Sequence, residues 1–246
     1  MTEKLKQFIN ENLDLINSNS KESWEKIYEK LDYAIKGEFT QTILNADIND
    51  PAEILSYLPE YYLSHSEIQE YAVPNSVTSI GKCAFFACYS LTSVLISDSV
   101  TSIGREAFRN CTSLTSVKIG DSVTSIGGFA FDFCNILTSI VIPDSVTDIG
   151  ECAFSCCHSL TSATIGDSVT NIGEWSFSGC KSLKSVQMGM SVMSIGESAF
   201  RGCSSLKRIH YKGTKKQAIQ LGLKKEEWRK NSAIKKIICT DGELIL

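Results

Sequence analysis

Histidine is scarce in this sequence: its 246 residues include only His65, His158 and His210. No two of them stand four residues apart, so the chain contains no zinc-protease helix motif. A phosphate-binding P-loop and a Gly-x-Gly-x-x-Gly dinucleotide motif are also absent. These absences remove the common signatures of metalloproteases, nucleotide hydrolases and dehydrogenases. We therefore predict a protein that is not an enzyme and has no catalytic residues, metal or cofactor.

Long hydrophobic runs are missing as well. No apolar segment approaches the roughly 18 residues that a membrane-spanning helix requires. The first residues, Met1 to Phe8, contain neither a continuous apolar stretch nor the small-residue cleavage site of a signal peptide. The sequence thus predicts no membrane association and a cytoplasmic location.

Charge of one sign is not in excess, since 24 basic residues stand against 28 acidic residues and give a net charge of −4. We therefore do not expect nucleic acid as the main partner. The charge is nevertheless uneven. Residues 1–72 carry 6 Lys/Arg and 14 Asp/Glu, a net charge of −8, whereas residues 207–246 carry 11 and 4, a net charge of +7. Such ends can steer a partner or join two copies head to tail, or they are simply solvated caps.

A 23-residue repeat organises the centre of the chain. Each unit begins with Ser-Val, and Ile-Gly follows two residues later, as in residues 76–81. Three further residue types recur without any slip: Phe at 85, 108, 131, 154, 177 and 200, Cys at 88, 111, 134, 157, 180 and 203, and Leu at 91, 114, 137, 160, 183 and 206. A fixed period of this length predicts a solenoid, because one unit cannot bury its apolar residues without its neighbours.

The repeat predicts a parallel sheet. Leu91, Val94 and Ile96 stand at the spacing of a short strand with one buried side, and Val77 and Ile80 supply an apolar layer on the opposite wall. Weaker versions of the pattern occur before and after the six clear units. Eight parallel strands are therefore expected, starting at residues 68, 91, 114, 137, 160, 183, 206 and 234.

Ten cysteines would normally suggest a secreted disulfide scaffold, but the repeat explains six of them. The six stand at one position of each unit and should form a column of small buried side chains. Neighbours in such a column run parallel, which suits disulfide geometry poorly. We predict reduced thiols in the core.

Both ends of the solenoid are predicted to be helical. Apolar residues at helical spacing over 3–17 and 21–35 indicate a cap, which an open solenoid needs. Near the other end, Thr214 and Gln217 form a capping box that opens a helix, and a second helix is expected over residues 224–231. The predicted organisation is a helical cap over 1–57, a solenoid over 58–213, and a helical insertion with a closing strand over 214–246.

The unit Ser-Val-Thr-Ser-Ile-Gly-x-x-Ala-Phe-x-x-Cys-x-x-Leu-Thr-Ser-Val-x-Ile resembles the BspA-like, treponemal class of bacterial leucine-rich repeats over residues 58–213. The resemblance implies an α+β solenoid: a right-handed leucine-rich-repeat coil with a concave parallel sheet. It also implies a binding role, since members include surface adhesins. The short head, the Lys-rich insertion and the Cys-Thr-Asp-Gly ending also resemble compact repeat proteins of phages and mobile elements. That second resemblance implies an intracellular inhibitor of host defence.

Two surfaces are candidate binding sites. Facing outward on the predicted concave sheet are Leu95, Lys118, Val141, Thr164, Gln187 and His210. The turns of neighbouring coils bring together Phe129, Phe133, Cys152, Cys156 and Trp175. Clustered aromatic residues at variable positions indicate an interface hot spot, unless they pack beneath adjacent turns and thicken the core.

A cluster in the fourth clear unit has two interpretations. Cys152, Cys156, Cys157 and His158 have a spacing that can supply zinc ligands, and a Cys beside a His can be a nucleophile. Cys157, however, belongs to the buried column, and adjacent side chains in a coil tend to diverge. We favour small residues on a solenoid wall.

The sequence therefore predicts a non-catalytic protein-recognition module. An extracellular adhesin and a self-assembling structural protein are the alternatives. The lysines of the insertion can contact phosphate or an acidic protein, but apart from Trp228 no aromatic residues accompany them for base stacking.

Overall fold

The computed structural model describes residues 69–75 and 77–246, together with Gln7 and Glu11. Gln7 and Glu11 are helical, and the amide of Gln7 donates a hydrogen bond of 2.8 Å to Glu11. The rest of the predicted cap over residues 1–57 lies outside the described residues. So does the predicted start of the solenoid at residue 58.

Each coil contributes one strand to what we call the main sheet. Its strands are β1 (Glu70–Ala72), β3 (Ser93–Leu95), β5 (Ser116–Lys118), β7 (Ser139–Ile142), β9 (Ser162–Ile165), β11 (Ser185–Met188), β13 (Arg208–Tyr211) and β14 (Lys236–Cys239). The bonded neighbours are parallel and keep the repeat in register, so Tyr71 lies beside Val94 and Ile140 beside Ala163. The ladder of hydrogen bonds is interrupted between β5 and β7.

The expected eight strands are present, but each begins two residues later than predicted. The reason is visible at Leu91, whose amide bonds to the carbonyl of Cys88 at 3.2 Å and so belongs to a turn. A ninth strand, β15 (Gly242–Ile245), was not expected. It pairs antiparallel with β14, and Lys236 and Glu243 form an ion pair of 2.7 Å across the hairpin.

A second sheet runs along the opposite wall. Its strands have two residues each: β2 (Ser79–Ile80), β4 (Ser102–Ile103), β6 (Ser125–Ile126), β8 (Asp148–Ile149), β10 (Asn171–Ile172) and β12 (Ser194–Ile195). All pair in parallel, with Ile80 beside Ile103. The apolar layer that the sequence predicts here is therefore a hydrogen-bonded sheet in its own right.

The core between the two sheets contains a continuous stack of aromatic rings. Six phenylalanines, Phe85, Phe108, Phe131, Phe154, Phe177 and Phe200, are fully buried. Consecutive rings lie 4.9–5.2 Å apart with interplanar angles between 3° and 12°. Tyr71 continues the stack at one end at 5.2 Å, and Trp228 closes the other end edge-on at 5.9 Å. Offset stacking at this separation is favourable in addition to the apolar burial.

The cysteine column lies beside this stack, and its six cysteines are free thiols, as predicted. The repeat makes no prediction for the other four cysteines, which are free thiols as well. Each thiol from Cys111 onward donates to the carbonyl of the phenylalanine in the preceding coil, for example Cys111 to Phe85 at 3.0 Å and Cys203 to Phe177 at 3.2 Å. Burial raises the pKa of the thiols from Cys111 to Cys203 in this column, in Cys203 to about 12. The column is therefore held by weak hydrogen bonds between coils rather than by disulfides.

From the second segment on, the glycine that ends each Ser-Val-x-x-Ile-Gly segment is required by close packing between coils. A Cβ added to Gly150 would lie 2.4 Å from the backbone nitrogen of Gly128. A Cβ added to Gly173 would lie 2.5 Å from the carbonyl carbon of Gly150. None of these glycines has a positive φ. Left-handed backbone occurs instead at two variable positions of each turn, including Phe129 (φ 59°) and Trp175 (φ 58°).

The predicted helical insertion is largely wrong. One helix, α1 (Lys215–Gln220), is present, with the expected capping box at Thr214. The second predicted helix, over 224–231, is replaced by a 3₁₀ turn at Glu227–Arg229. Its carbonyls are already used by the solenoid, because those of Glu227 and Trp228 accept the amides of Ser198 and Phe200 at 2.7 and 2.8 Å. The described residues thus form a β-solenoid rather than an α+β fold.

We predict that Gly150→Ala destabilises the protein much more than Gly179→Ala. Gly179 has a positive φ of 74°, but its added Cβ would meet nothing closer than 3.5 Å. We expect about 3 kcal/mol for Gly150→Ala, because backbone must move, and about 1 kcal/mol for Gly179→Ala. Urea unfolding of the two variants measures the difference. Equal losses of unfolding free energy would mean that backbone conformation, and not the spacing between coils, requires glycine at both positions.

Candidate functional site

The outward row of the main sheet is exposed as predicted. Leu95 and Val141 are 45% and 62% exposed, although the residues beside them on the strands point into the core. Lys118, Gln187 and His210 are also exposed, and Thr164 is half-exposed. The structure thus places all six residues on one face, and their part in binding stays a prediction.

A groove lies where β5, β7 and β9 end. Its volume is about 680 Å³, and Val141 and Lys118 line it together with the turns that carry Asp121 and Asp144. Lys212 closes one end, where its ammonium group lies 2.9 Å from the carboxylate of Asp167. This hydrogen bond raises the pKa of Lys212. The groove therefore offers a partner an apolar side chain between groups of both signs.

A second cleft continues the groove past Lys212. It has a volume of about 320 Å³ and is lined by Gln187, His210 and Thr240. Lys212 belongs to both cavities. A recessed surface therefore follows the strand ends from β5 to β14. The sequence alone did not indicate it, because the two cavities are joined by Lys212, whose partner Asp167 lies 45 residues earlier in the chain.

The turn wall, which we define by Phe129, Phe133, Cys152, Cys156 and Trp175, is built by backbone pairing between coils. The amide of Phe129 donates to the carbonyl of Glu151 at 2.7 Å, and that of Cys152 donates to Glu174 at 2.8 Å. Phe133 is 39% exposed, whereas Phe129 and Trp175 are half-buried. The sequence correctly indicated that these residues occupy one wall.

Arginines cover the half-buried rings of the turn wall. The guanidinium groups of Arg105 and Arg109 lie 4.6 and 5.3 Å from the ring centre of Phe129, and that of Arg201 lies 5.0 Å from Trp175. Cation–π contacts of this kind stabilise both partners. The rings of the turn wall are therefore partly covered by cations. This geometry lies between the two interpretations left open by the sequence, an exposed interface hot spot and rings packed beneath adjacent turns.

The same arginines enter an acidic network. Arg105 reaches across a whole coil to Glu151, at 2.7 Å, and passes over Gly128. Arg109 lies 3.2 Å from the carboxylate of Asp132, which is almost fully buried. Burial raises the pKa of Asp132 although Arg109 acts to lower it. Sequence reasoning missed Asp132, since its position in the repeat is variable and nothing in the pattern marks it as buried.

The possible zinc or nucleophile cluster does not come together. The thiol of Cys157 donates to the carbonyl of Phe131 in the preceding coil at 3.3 Å, whereas Nδ1 of His158 lies 3.0 Å from the carbonyl of Gly179 in the following coil. Within residues 69–75 and 77–246, no group of three or more His, Cys, Asp or Glu side chains is arranged to hold a metal ion. The favoured interpretation, small residues on a solenoid wall, agrees with this geometry.

Cys152 also lacks the properties of an activated thiol. Burial, together with the nearby carboxylates of Asp132 and Glu151, raises its pKa to about 11. A nucleophilic cysteine requires the opposite shift, since the thiolate is the reactive form.

Comparison with known proteins identifies the family. The sequence profile of the "BspA type Leucine rich repeat region" matches residues 56–147 and 101–221, with six copies. This chain therefore belongs to the BspA-type leucine-rich-repeat proteins, whose repeats generally mediate protein interaction or surface adhesion and are typically non-catalytic.

Solved structures show the same fold. A leucine-rich-repeat protein of T. pallidum is 31% identical, with a TM-score of 0.55 over 58% of this chain and 70% of that one. The pneumococcal vaccine antigen PcpA is 17% identical, with a TM-score of 0.57 over 70% of this chain and 42% of that one. The comparison with curated proteins gives no match. Nothing in these findings supports the phage resemblance or a role against host defence.

The structure also bears on membranes. Among the residues it describes, no helix is both long and apolar enough to cross a bilayer.

We predict that alkylation of Cys152 in the native protein is slow at pH 8 and accelerates about tenfold per pH unit up to about pH 11. Mass spectrometry of iodoacetamide-treated protein, digested after a timed quench, measures the rate at this residue. Urea-unfolded protein is the control, in which Cys152 should react as an ordinary thiol. Rapid labelling of native Cys152 at pH 7 would contradict the assignment and revive a nucleophilic role.

Proposed function

We propose that this protein is a non-catalytic recognition module whose partner protein binds the exposed face of the main sheet, from Leu95 across Val141 to His210. The observation that carries the proposal is the exposure of Val141 and Leu95 on a sheet whose other face is fully packed. Exposed aliphatic side chains above a groove are the kind of feature that a partner buries at the centre of an interface.

The surroundings of Val141 support this choice over the turn wall. Lys118 and the groove-lining Asp121 and Asp144 supply a polar rim around an apolar centre, the usual anatomy of an interface. On the turn wall, by contrast, the arginines already occupy the faces of Phe129 and Trp175. A partner there would have to displace or share those cations.

A surface adhesin is the second candidate, because the family includes repeats that act in adhesion. The same face would then bind an extracellular matrix protein. The predicted cytoplasmic location separates the two candidates and stays a prediction.

The test compares capture of partners by three double variants, after circular dichroism confirms that each folds. Leu95→Glu/Val141→Glu places charge on the main sheet, and Phe129→Ser/Trp175→Ser removes the rings of the turn wall. Met190→Glu/Met193→Glu is the matched control, since these methionines are 57% and 77% exposed and lie outside the main-sheet face. Immobilised protein is incubated with lysate and with purified matrix proteins, and bound proteins are identified by mass spectrometry.

We expect the main-sheet variant to bind its partner at least tenfold more weakly, because 1.4 kcal/mol corresponds to a factor of ten and buried charges cost more than that. The control should bind like the wild type. Loss only in the turn-wall variant would move the interface there. Capture of matrix proteins but nothing from lysate would favour the adhesin.

A further inference from the structure

A column of threonines stands at the corner before each main-sheet strand in the first coils. Each hydroxyl donates to the carbonyl one coil earlier, from Thr92 to Gln69 at 2.7 Å through to Thr161 to Thr138 at 2.9 Å. The column also contains Thr115, with the same type of bond at 2.9 Å. Such bonds stabilise the stacking of coils, since each side chain adds a second hydrogen bond to a carbonyl that already accepts the backbone amide of the next coil.

Lysine replaces threonine in the last three coils. Lys184, Lys207 and Lys235 occupy this position, and the pairing of Gln187 with His210 keeps the first two in register. Neighbouring strands are about 4.8 Å apart, so like charges at equivalent positions repel one another. None of the three lysines forms an ion pair with a residue that the structure describes. Stability alone would favour threonine here.

An open cleft of about 480 Å³ lies at this corner. It is lined by Lys184, Lys207 and Arg208, with the hydroxyl groups of Ser204 and Ser205 between them, and no acidic side chain takes part in the lining. Arg208 belongs to β13, beside His210 on the exposed face of the main sheet. The cleft is therefore continuous with the face that we assign to partner binding.

We propose that this cleft binds an acidic segment of the partner protein, through its aspartate and glutamate side chains. The inference rests on the proposed function in one respect, namely that the ligand is a protein. Charge complementarity supports it, because three cations line one volume whose lining contains no acidic side chain, and the hydroxyl of Ser205 can add a donor. The hydroxyl of Ser204 already donates to the carbonyl of Lys181 at 3.4 Å.

Nucleic acid fits the surface less well. Its single strands are usually held by aromatic rings on which bases stack, and no aromatic residue lines the cleft. The chain as a whole is also acidic, with a net charge of −4, which opposes a long polyanion more than a short acidic segment.

The experiment restores the residue of the repeat. Lys184→Thr/Lys207→Thr removes two cations and supplies hydroxyls that can extend the threonine column. Lys224→Thr/Lys225→Thr is the matched control, with the same change of net charge at two exposed positions of the insertion. Fluorescence anisotropy of a labelled octaglutamate peptide measures binding by the full chain at 20 mM and 150 mM salt. Thermal unfolding is recorded for each variant.

We expect saturable binding by the wild type that weakens as salt rises, at least tenfold weaker binding by Lys184→Thr/Lys207→Thr, and less than a twofold change in the control. The melting temperature of the first variant should be equal or higher, because repulsion is removed. A lower melting temperature would assign the lysines a structural role and overturn the proposal.

Three other outcomes would also overturn it: no saturable binding at low salt, equal losses in both variants, or tighter binding of an oligonucleotide of equal charge. Self-association of the unliganded chain that Lys184→Thr/Lys207→Thr abolishes would instead assign the cleft to a second copy. The Leu95→Glu/Val141→Glu variant should keep its affinity for the peptide, so failure at the main sheet and failure at the cleft can be told apart.

Discussion

The separation between neighbouring coils constrains every layer of this structure. Backbone pairing in a sheet requires about 4.8 Å. The buried phenylalanine rings stack at 4.9–5.2 Å, and the thiol of each cysteine from the second coil on reaches a carbonyl in the coil before it. Gly104, Gly127, Gly150, Gly173 and Gly196 have no room for a Cβ at this spacing. A larger residue at one of these positions would push two coils apart and so weaken all the other contacts between them. This explains why the repeat has no insertion or deletion across its six clear units.

Much of this arrangement could be predicted from the sequence, because a strict period carries information about burial at every position. Seven of the eight strands, the reduced cysteine column and the outward row with Val141 all follow from the 23-residue repeat. The eighth strand follows from the same apolar spacing, 28 residues after the seventh. The reason for the recurring glycine did not follow. Glycine after isoleucine suggests a turn from the sequence alone, but only the packed coils show that the limit is the distance to the neighbouring backbone.

The largest errors fall where the chain leaves the period, whereas within it the predicted strand starts were only two residues too early. Residues 224–231 have a helical pattern, yet the carbonyls of Glu227 and Trp228 complete the backbone ladder of the last coils. The local helical propensity is overridden by a tertiary hydrogen bond, because the carbonyl of Trp228 accepts the amide of Phe200, 28 residues earlier in the chain. The candidate site shows the same limit. The repeat marked Phe129 and Trp175 as variable, but the covering arginines come from other coils and from variable positions themselves.

The strained turns explain how such a rigid solenoid can vary its surface. Residues such as Phe129, Cys152 and Trp175 adopt left-handed backbone, which costs about 1 kcal/mol for a residue with a side chain. The conformation persists because the amides of these residues donate hydrogen bonds to carbonyls of the next coil. The backbone of the neighbouring coil, rather than the side chain, therefore fixes the left-handed conformation. Side chains without a branch at Cβ then meet about the same backbone cost, and selection can choose among them for their contacts. The same separation of backbone and side chain holds at the corner occupied by Lys184, Lys207 and Lys235. Backbone pairing fixes the register of the strands there, so the side chains can contact a ligand without being needed for the fold.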